Sequence, residues 1–385
     1  MHTFFATCPR GLEALLLAEL VSVGAGEARA VAGGVLFAGD WATCYRANLE
    51  SRLATRILWQ LDRAPYAREE DIYRLALRQA WEAHFDVCCT FRVQTTAIRS
   101  PLKSIDFVTL RVKDAICDRF RDQVGARPNV DTREPDVRVQ VFLSERECTL
   151  YLDTSGAPLW QRGLRHANVA APLKENLAAG ILKLAGWQPG TPLFDPMCGS
   201  GTFVLEAACM ALDRAPGLER VRFGFERLRQ FDSETWQAIR NAALARVKEA
   251  AFQQIWASDV DARAVRATQR NLQLAGLGEV VKVSEQDFLA CTAPAPGGIL
   301  VANPPYGERI GEQNELAALY PRISATLKQH FAGWTAYFFT ADMRFPKLLR
   351  LTPRRKILLF NGPLECRLYA IEIVAGSHRK PKAEA

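Results

Sequence analysis

The chain has 385 residues, 49% of them hydrophobic and 24% charged, a balance that excludes a disordered chain and a length too great for one ordinary core, so two or three domains are expected. No apolar run reaches the roughly 18 residues of a membrane span, and "MHTFFATCPRGLEALL" lacks the features of a secretory signal, so a cytoplasmic location is expected. The net charge of +7 suits a polyanionic partner without establishing one.

The first 65 residues read strand, helix, strand, helix. "TFFATC" is a β-rich run, "PRGLEALLLAELVSVG" a helix entered through Pro9 and closed at Gly24, and "GGVLFAG" a Gly-bounded strand. Leu49, Leu53, Ile57 and Leu61 then recur at helical spacing through "WATCYRANLESRLATRILWQL". Together these suggest a small α+β unit. A second unit follows, with "DIYRLALRQAW" helical and "CCTFRVQTTAI" strand-like. "SIDFVTLRVKDAICDRFRDQVG" is a long amphipathic helix carrying Ile105, Val108, Val112, Ile116, Phe120 and Val124 on one row. "VRVQVFLSERECTLYLDTSG" has the pattern of a hairpin turning at Ser144–Glu147. An irregular linker leads into a helix expected from about Pro172 to Ala185.

Beyond it, β and α alternate. Strands are expected at "TPLFDPMC", "IWASDV", "VVKVSEQDF", "GGILVANPPYG" and "WTAYFFTAD". Between them lie helices at "GSGTFVLEAACMAL", "DARAVRATQRNLQLAG" and "NELAALYPRISATLKQHF". This implies an α/β fold with a doubly wound, mostly parallel sheet. "RKILLFNGPLECRLYAIEIV" adds two β-rich runs around Asn361-Gly362-Pro363, expected as an antiparallel edge, and the tail from 376 to 385 is expected to be disordered. Ten cysteines without a CxxC pair suggest reduced thiols, and with five scattered His no metal site is expected.

In such a sheet a ligand sits at the carboxyl ends of the strands, so residues just after strands matter most. Asp195 opens "DPMCGSGTF", where Gly199 and Gly201 permit a tight turn and Ser200 or Thr202 can cap the next helix. The loop lacks the Lys-Ser/Thr of a P-loop and the third Gly of GxGxxG. An acid at this strand end repels pyrophosphate and suits an ammonium or sulfonium. Asp259 ends the next strand, where a carboxylate can accept from both ribose hydroxyls, with Val260 beside it. It lies 60 residues beyond Gly199, farther than in dinucleotide folds, because a helical segment is inserted between them. As a plainer alternative, Asp259 or Asp261 caps the following helix. Asp287 could accept from an adenine amino group, with Phe288 against the ring.

Asn303-Pro304-Pro305-Tyr306 ends the fourth strand. An exocyclic base amine is planar and weakly nucleophilic because its lone pair is delocalised. The Asn303 side-chain carbonyl and the Pro304 backbone carbonyl can accept its two N–H groups and draw the nitrogen toward tetrahedral geometry. Prolines hold these acceptors rigidly, and Tyr306 offers a face for an unstacked base, worth about 1–3 kcal/mol. These strand ends together point to S-adenosyl-L-methionine and an amine acceptor, with positioning supplying most of the catalysis. The same arrangement makes Asp195, Pro196, Met197, Gly199, Ser200, Gly201, Thr202, Asp259, Val260, Asp287, Phe288 and Asn303 candidate cofactor contacts. Phosphate-facing candidates are Arg344, Lys347, Arg354 and Arg355 in the run "RFPKLLRLTPRRK", which contains no acid, and, more weakly, Arg99, Lys103 and Lys113.

"DPMCGSGTF" and "NPPYGERIG" resemble the cofactor and catalytic loops of the THUMP-domain class I RNA guanine-N2 methyltransferases. "SPLKSIDFVTLRVKDAICDRF" is similar to the core of a THUMP domain, an RNA-binding module, and "WQRGLRHANVAAPLKENLAAGIL" and "LFNGPLECRLYAIEI" resemble the start and the closing strands of the catalytic domain. The resemblance implies a ferredoxin-like α+β unit over 1–65, a THUMP domain over 66–155, a linker over 156–171 and a Rossmann-like methyltransferase domain over 172–375. It implies rRNA as substrate, with tRNA as the alternative, and a cofactor lined by Asp195, Gly199, Gly201, Asp259 and Asp287. Asn303 and Tyr306 would engage guanine N2. Related bacterial enzymes continue into a second methyltransferase domain, so a single activity is expected of a chain of this length. Two other readings are a DNA or protein amino-methyltransferase, against which the THUMP-like half argues, and a non-catalytic assembly factor, against which the intact loops argue.

Overall fold

The computed structural model describes residues 1–164, 173–305 and 310–374, with backbone alone over 310–315. Tyr306, most of the linker after 164, the start of the helix expected at Pro172 and the tail lie outside the described residues. The chain divides into two compact units.

The first unit comprises 1–8, 16–161 and 216–243. In chain order its elements are β1 (His2–Thr7), α1 (Glu13–Ser22), β2 (Gly26–Val31), β3 (Gly34–Gly39), α2 (Trp41–Glu50), β4 (Arg56–Pro65), α3 (Glu69–Leu77), β5 (Phe91–Ala97), α4 (Ile105–Val124), β6 (Val137–Leu143) and β7 (Glu147–Asp153). They build one seven-stranded sheet in the order β2-β3-β1-β4-β7-β6-β5, so the two expected N-terminal units share a sheet through the β4–β7 pair. Only β5 and β6 run parallel, and the β6–β7 hairpin turns where the sequence placed it. The Ser104 side chain accepts from Phe107 N to start α4, and Gly125 ends it in the left-handed region (φ 77°). Val108, Val112, Ile116 and Phe120 are buried, as their spacing predicts, whereas Ile105 is half-buried and Val124, in the last turn, is exposed.

The helix expected through Leu61 is corrected. It ends at Glu50 with Ser51 as cap, and Ile57 and Leu61 belong to β4. Ile57, Leu58 and Trp59 are all buried, as in a central strand packed on both faces, and the regular i, i+4 spacing is a coincidence. β2, "GEARAV", escaped the sequence reading because it offers little apolar alternation.

Residues 216–243 fold with this first unit although they interrupt the methyltransferase-like pattern. Gly217 N donates to Leu49 O (2.9 Å), Phe225 N to Thr154 O (2.8 Å) and Asp232 N to the Tyr45 hydroxyl (2.9 Å). Phe225 and Trp236 pack around Tyr45 at ring distances of 4.6 and 6.1 Å. A Cβ on Gly224 would lie 2.5 Å from Asp153 O, so only glycine admits this approach.

The second unit comprises 9–15, 162–215 and 244–385. Its elements include α5 (Glu175–Leu184), β8 (Leu193–Asp195) and α6 (Thr202–Ala211). After α7 (Ser233–Ala245), nearly all of which belongs to the first unit, come β9 (Ile255–Asp259), α8 (Ala262–Leu274), β10 (Val281–Glu285), β11 (Gly298–Ala302) and α9 (Ile310–His330). β12 (Trp334–Thr340), α10 (Phe345–Leu349), β13 (Arg355–Asn361) and β14 (Leu364–Glu372) complete it. The sheet order is β10-β9-β8-β11-β12-β14-β13. β8 to β12 are parallel, and the β13–β14 hairpin forms the antiparallel edge that the sequence predicts. Phe194, Phe331, Trp334, Phe338, Phe345 and Tyr369 centre its core. Arg162 and Glu206, only 2% and 3% exposed, form an ion pair inside this unit (Nε to Oε1, 3.1 Å). Among the described residues no helix is long and apolar enough to cross a membrane.

Candidate active site

Strand order reverses beside β8: β9 and then β10 lie on one side, β11 and then β12 on the other. This is a topological switch point, where adjacent loops diverge and leave a crevice at the carboxyl ends of the strands. Asp195 ends β8, Asp259 ends β9, and Asn303 follows β11 directly. Asp287 lies two residues past the end of β10.

The glycine loop is tied down from β9 and α8. Cys198 N donates to Ser258 O (3.0 Å), and Gly199 N donates to Asp259 Oδ2 (2.9 Å). Thr268 Oγ1 donates to Gly199 O (2.9 Å), and Asn271 Nδ2 to Ser200 O (3.1 Å). The sequence reading missed Thr268 and Asn271. Their signal was present: both fall on the buried face of α8 among Ala264, Val265 and Leu272, two polar groups in an apolar stripe.

The helix cap differs from expectation. Gly201, in the left-handed region (φ 83°), is the N-cap of α6, and neither Ser200 nor Thr202 caps it. Both are buried because the loop turns them away from solvent. Pro196 is buried too, and Met197 is half-buried against the core.

Asp195 is 1% exposed, and its carboxylate accepts from Met197 N (3.2 Å). Burial pushes its pKa well above the usual carboxylate value, and the nearby Asp259 charge pushes the same way. Among the described residues no basic side chain forms an ion pair with it. Asp259 uses Oδ2 for Gly199 N and Oδ1 for Asp261 N (3.0 Å). A carboxylate has about four acceptor sites, so capacity for hydroxyl donors remains. Asp261, not Asp259, caps α8, through Arg263 N (2.8 Å). Val260 projects next to Asp259 with 69% of its surface exposed, an apolar ledge beside a carboxylate.

Asp287 is exposed and caps a 3₁₀ turn through Leu289 N (2.9 Å). Phe288 is 4% exposed and meets Phe331 edge-on at 6.2 Å. The turn aims its ring into the core. Asn303 is half-buried, Pro304 buried and Pro305 exposed, so the chain emerges from the sheet at this dipeptide.

Among the basic candidates of this unit, Arg344, Lys347, Arg354 and Arg355 are all exposed. The run contains no acid, yet the fold supplies two: Arg344 forks onto Asp342 (3.0 Å to each oxygen) and Arg354 pairs with Glu372 (3.1 Å). Lys347 lies on α10, which the sequence reading had not assigned as a helix. In the first unit Arg99 and Lys103 are exposed, and Lys113 pairs with Asp114 (2.6 Å).

Residues 162–370 match the family model for the RMKL-like, methyltransferase domain, 66–153 the THUMP domain, and 3–58 the RlmL ferredoxin-like domain. A curated relative, the ribosomal RNA large subunit methyltransferase K/L of Syntrophotalea carbinolica, is 41% identical over 381 residues, 96% of this chain and 53% of the relative. The chain therefore spans about half the length of that relative. The solved structure of SMU.472 complexed with SAH is 29% identical with a TM-score of 0.88, covering 98% of this chain and 99% of that one. A predicted N6-adenine-specific DNA methylase from Listeria monocytogenes is 28% identical with a TM-score of 0.87, covering 97% and 96%. TrmN from Thermus thermophilus, 23% identical over 97% of this chain and 100% of its own, shares the fold with a TM-score of 0.72.

Proposed function

This chain belongs to the RMKL-like methyltransferase family, and on that premise we propose that it transfers a methyl group from S-adenosyl-L-methionine to the exocyclic N2 amine of a guanine in RNA, 23S rRNA foremost. One observation carries the reading: a switch-point crevice flanked by the buried acid Asp195 on one side and by Asn303-Pro304 on the other. The residues fit the cofactor. Asp195 is an acid whose ionisation burial opposes, and a cationic ligand nearby would favour its charged form. Asp259 retains acceptor capacity for ribose hydroxyls, and Val260 gives an apolar surface for a ring. When bound, the cofactor supplies an electrophilic methyl on a sulfonium.

The chain's own contribution is to hold and polarise the acceptor. The Asn303 amide oxygen and the Pro304 carbonyl would each accept one N–H of the guanine amine. This frees its lone pair from the ring and points it along the line of transfer. Neither role needs a covalent enzyme intermediate. The rRNA substrate rests on the name of the 41%-identical relative, and guanine N2 rests on the resemblance of "DPMCGSGTF" and "NPPYGERIG" to guanine-N2 methyltransferase loops, since the loop chemistry alone suits any exocyclic base amine. A DNA substrate, which the name of the Listeria relative raises, leaves the THUMP domain at 66–153 without a purpose.

The test is Asn303→Ala, assayed by radiolabelled methyl transfer to transcribed 23S rRNA with mass analysis of the nucleosides. A rate loss of about 10²–10³-fold is expected, the scale of removing one transition-state hydrogen-bond partner, with cofactor affinity nearly intact. Wild-type turnover by the variant would refute the catalytic role of Asn303. A methylated product other than N2-methylguanosine would refute the acceptor.

A further inference from the structure

The acceptor side of the crevice extends one strand beyond Asn303. β12 is the parallel neighbour of β11, with Ala302 opposite Phe338. The chain leaving β12 therefore emerges at the same end of the sheet as Asn303-Pro304, one strand spacing of about 4.8 Å to the side. This chain is "ADMRF", residues 341–345, and it is fixed at both ends. The hydroxyl of the fully buried Thr340 accepts from Asp342 N (3.0 Å). Phe345, also fully buried, packs against Tyr320, Phe338 and Tyr369 at ring distances of 4.8, 5.0 and 5.8 Å. Between these anchors Met343 and Arg344 are exposed.

Arg344 is aimed. The buried Asp342 accepts its Nε–H on Oδ1 and an Nη2–H on Oδ2, each at 3.0 Å, and accepts Arg344 N on Oδ1 as well (2.9 Å). Burial works to raise the Asp342 pKa, but these bonds outweigh it and hold the acid below its usual value, so the pair stays charged. The fork occupies the side of the guanidinium that carries Nε. The end formed by Nη1 and Nη2 has no partner among the described residues, and it presents two parallel N–H groups in a plane that the fork holds fixed.

The carboxylate offsets the positive charge, so the pair draws a phosphate only weakly. Its outward donors instead match two neutral acceptors side by side, the arrangement of O6 and N7 on guanine. Adenine carries an amino donor where guanine has O6, and two donors would then oppose each other. Met343 beside the pair gives a soft apolar surface for a ring, which a phosphate could not use.

We propose that Arg344 reads the O6–N7 edge of the target guanine while Asn303 and Pro304 hold its N2 amine, which makes Arg344 a specificity residue and Asp342 its positioning residue. This rests on the reading that the acceptor is guanine N2. N2 and the O6–N7 pair lie on different edges of the base, so both can be engaged at once.

The test uses the full chain and 23S rRNA transcribed with GTP or with 7-deaza-GTP, which replaces N7 by C–H. Methyl transfer is followed as kcat/KM, with mass analysis of the nucleosides. Arg344→Lys keeps the charge and loses the fork, and should lower kcat/KM on the ordinary transcript roughly 5- to 150-fold. The 7-deaza transcript should cost the wild type roughly tenfold and the lysine variant less than about twofold, because the donor that N7 meets is already gone. Asp342→Asn should show a weaker N7 penalty than wild type, a readout that a purely structural role would not move. Cofactor affinity, measured by calorimetry, should stay at the wild-type value in both variants and reports that they are folded. A phosphate contact gives a different pattern: near-wild-type turnover with lysine, and the same 7-deaza penalty in variant and wild type. Either result overturns the assignment. N2-methylguanosine formed without coupling between Arg344 and N7 overturns this inference alone. A wild-type product other than N2-methylguanosine, or none, overturns the methyl-transfer reading and this inference with it.

Discussion

Replacing Gly201 with alanine tests how the glycine loop is held. At φ 83° the backbone lies where a side chain costs about 1–2 kcal/mol. An added Cβ would also sit 2.8 Å from Thr268 Cγ2 and 3.0 Å from its Oγ1. Thr268 has little room to yield, since it is fully buried and its hydroxyl holds Gly199 O at 2.9 Å. Overpacking of this kind costs about 1–3 kcal/mol, so the variant should lose about 2–5 kcal/mol in all. Thr268→Ser removes the nearer methyl and keeps the hydroxyl. The double variant should therefore recover the packing part and retain the backbone part. Urea denaturation of all four proteins gives the coupling, and calorimetry follows cofactor affinity, which should fall with Gly201→Ala and partly return in the double variant. A Gly201→Ala protein within about 0.5 kcal/mol of wild type, or a cycle without coupling, refutes this account of the loop.

Asp195 makes cofactor binding pH-dependent. Its folded pKa is raised, so its contribution to stability is complete below the unfolded value and is lost as pH rises through the folded one. A cationic ligand favours the ionised form, so cofactor affinity should rise with pH through that range and binding should release a proton. Calorimetry in buffers of different ionisation enthalpy measures this, Asp195→Asn should flatten the acid limb, and a pH-independent wild-type affinity contradicts it. Arg162→Met leaves Glu206 charged and buried and should cost about 3–5 kcal/mol in denaturant, whereas Arg162→Met with Glu206→Leu should recover most of it. A single variant as stable as wild type would show that the pair contributes little.

Much of the second unit was legible because its parallel strands are short buried runs separated by helices, and because its candidate residues sit at strand ends. Asp195, Asp259 and Asn303 fall at the switch point where that pattern placed them. The role of Asp259 in binding Gly199 N was not legible, since it depends on how closely β8 and β9 approach. The burial of Phe288 was not legible, because an aromatic after an acid suits a ring pocket and a core equally in sequence. β4 was hidden by a helical spacing that a central strand of alternating and consecutive apolar residues imitates. The acids that bind Arg344 and Arg354 lie outside the basic run itself, so composition overstated its available charge.

The segment 216–243 also bears on how the protein is made. Its residues complete the first unit, yet they follow Gln161 only after 162–215, which belong to the second. At synthesis rates of about 5–20 residues per second the roughly 80 residues between Gln161 and Ala243 take about 4–16 s to emerge. During that interval the surface around Tyr45, later covered by Phe225 and Trp236, waits without its cover. The N-terminal sheet can pair its strands early, but it closes its core only when the ribosome has already delivered β8 and the glycine loop of the second unit.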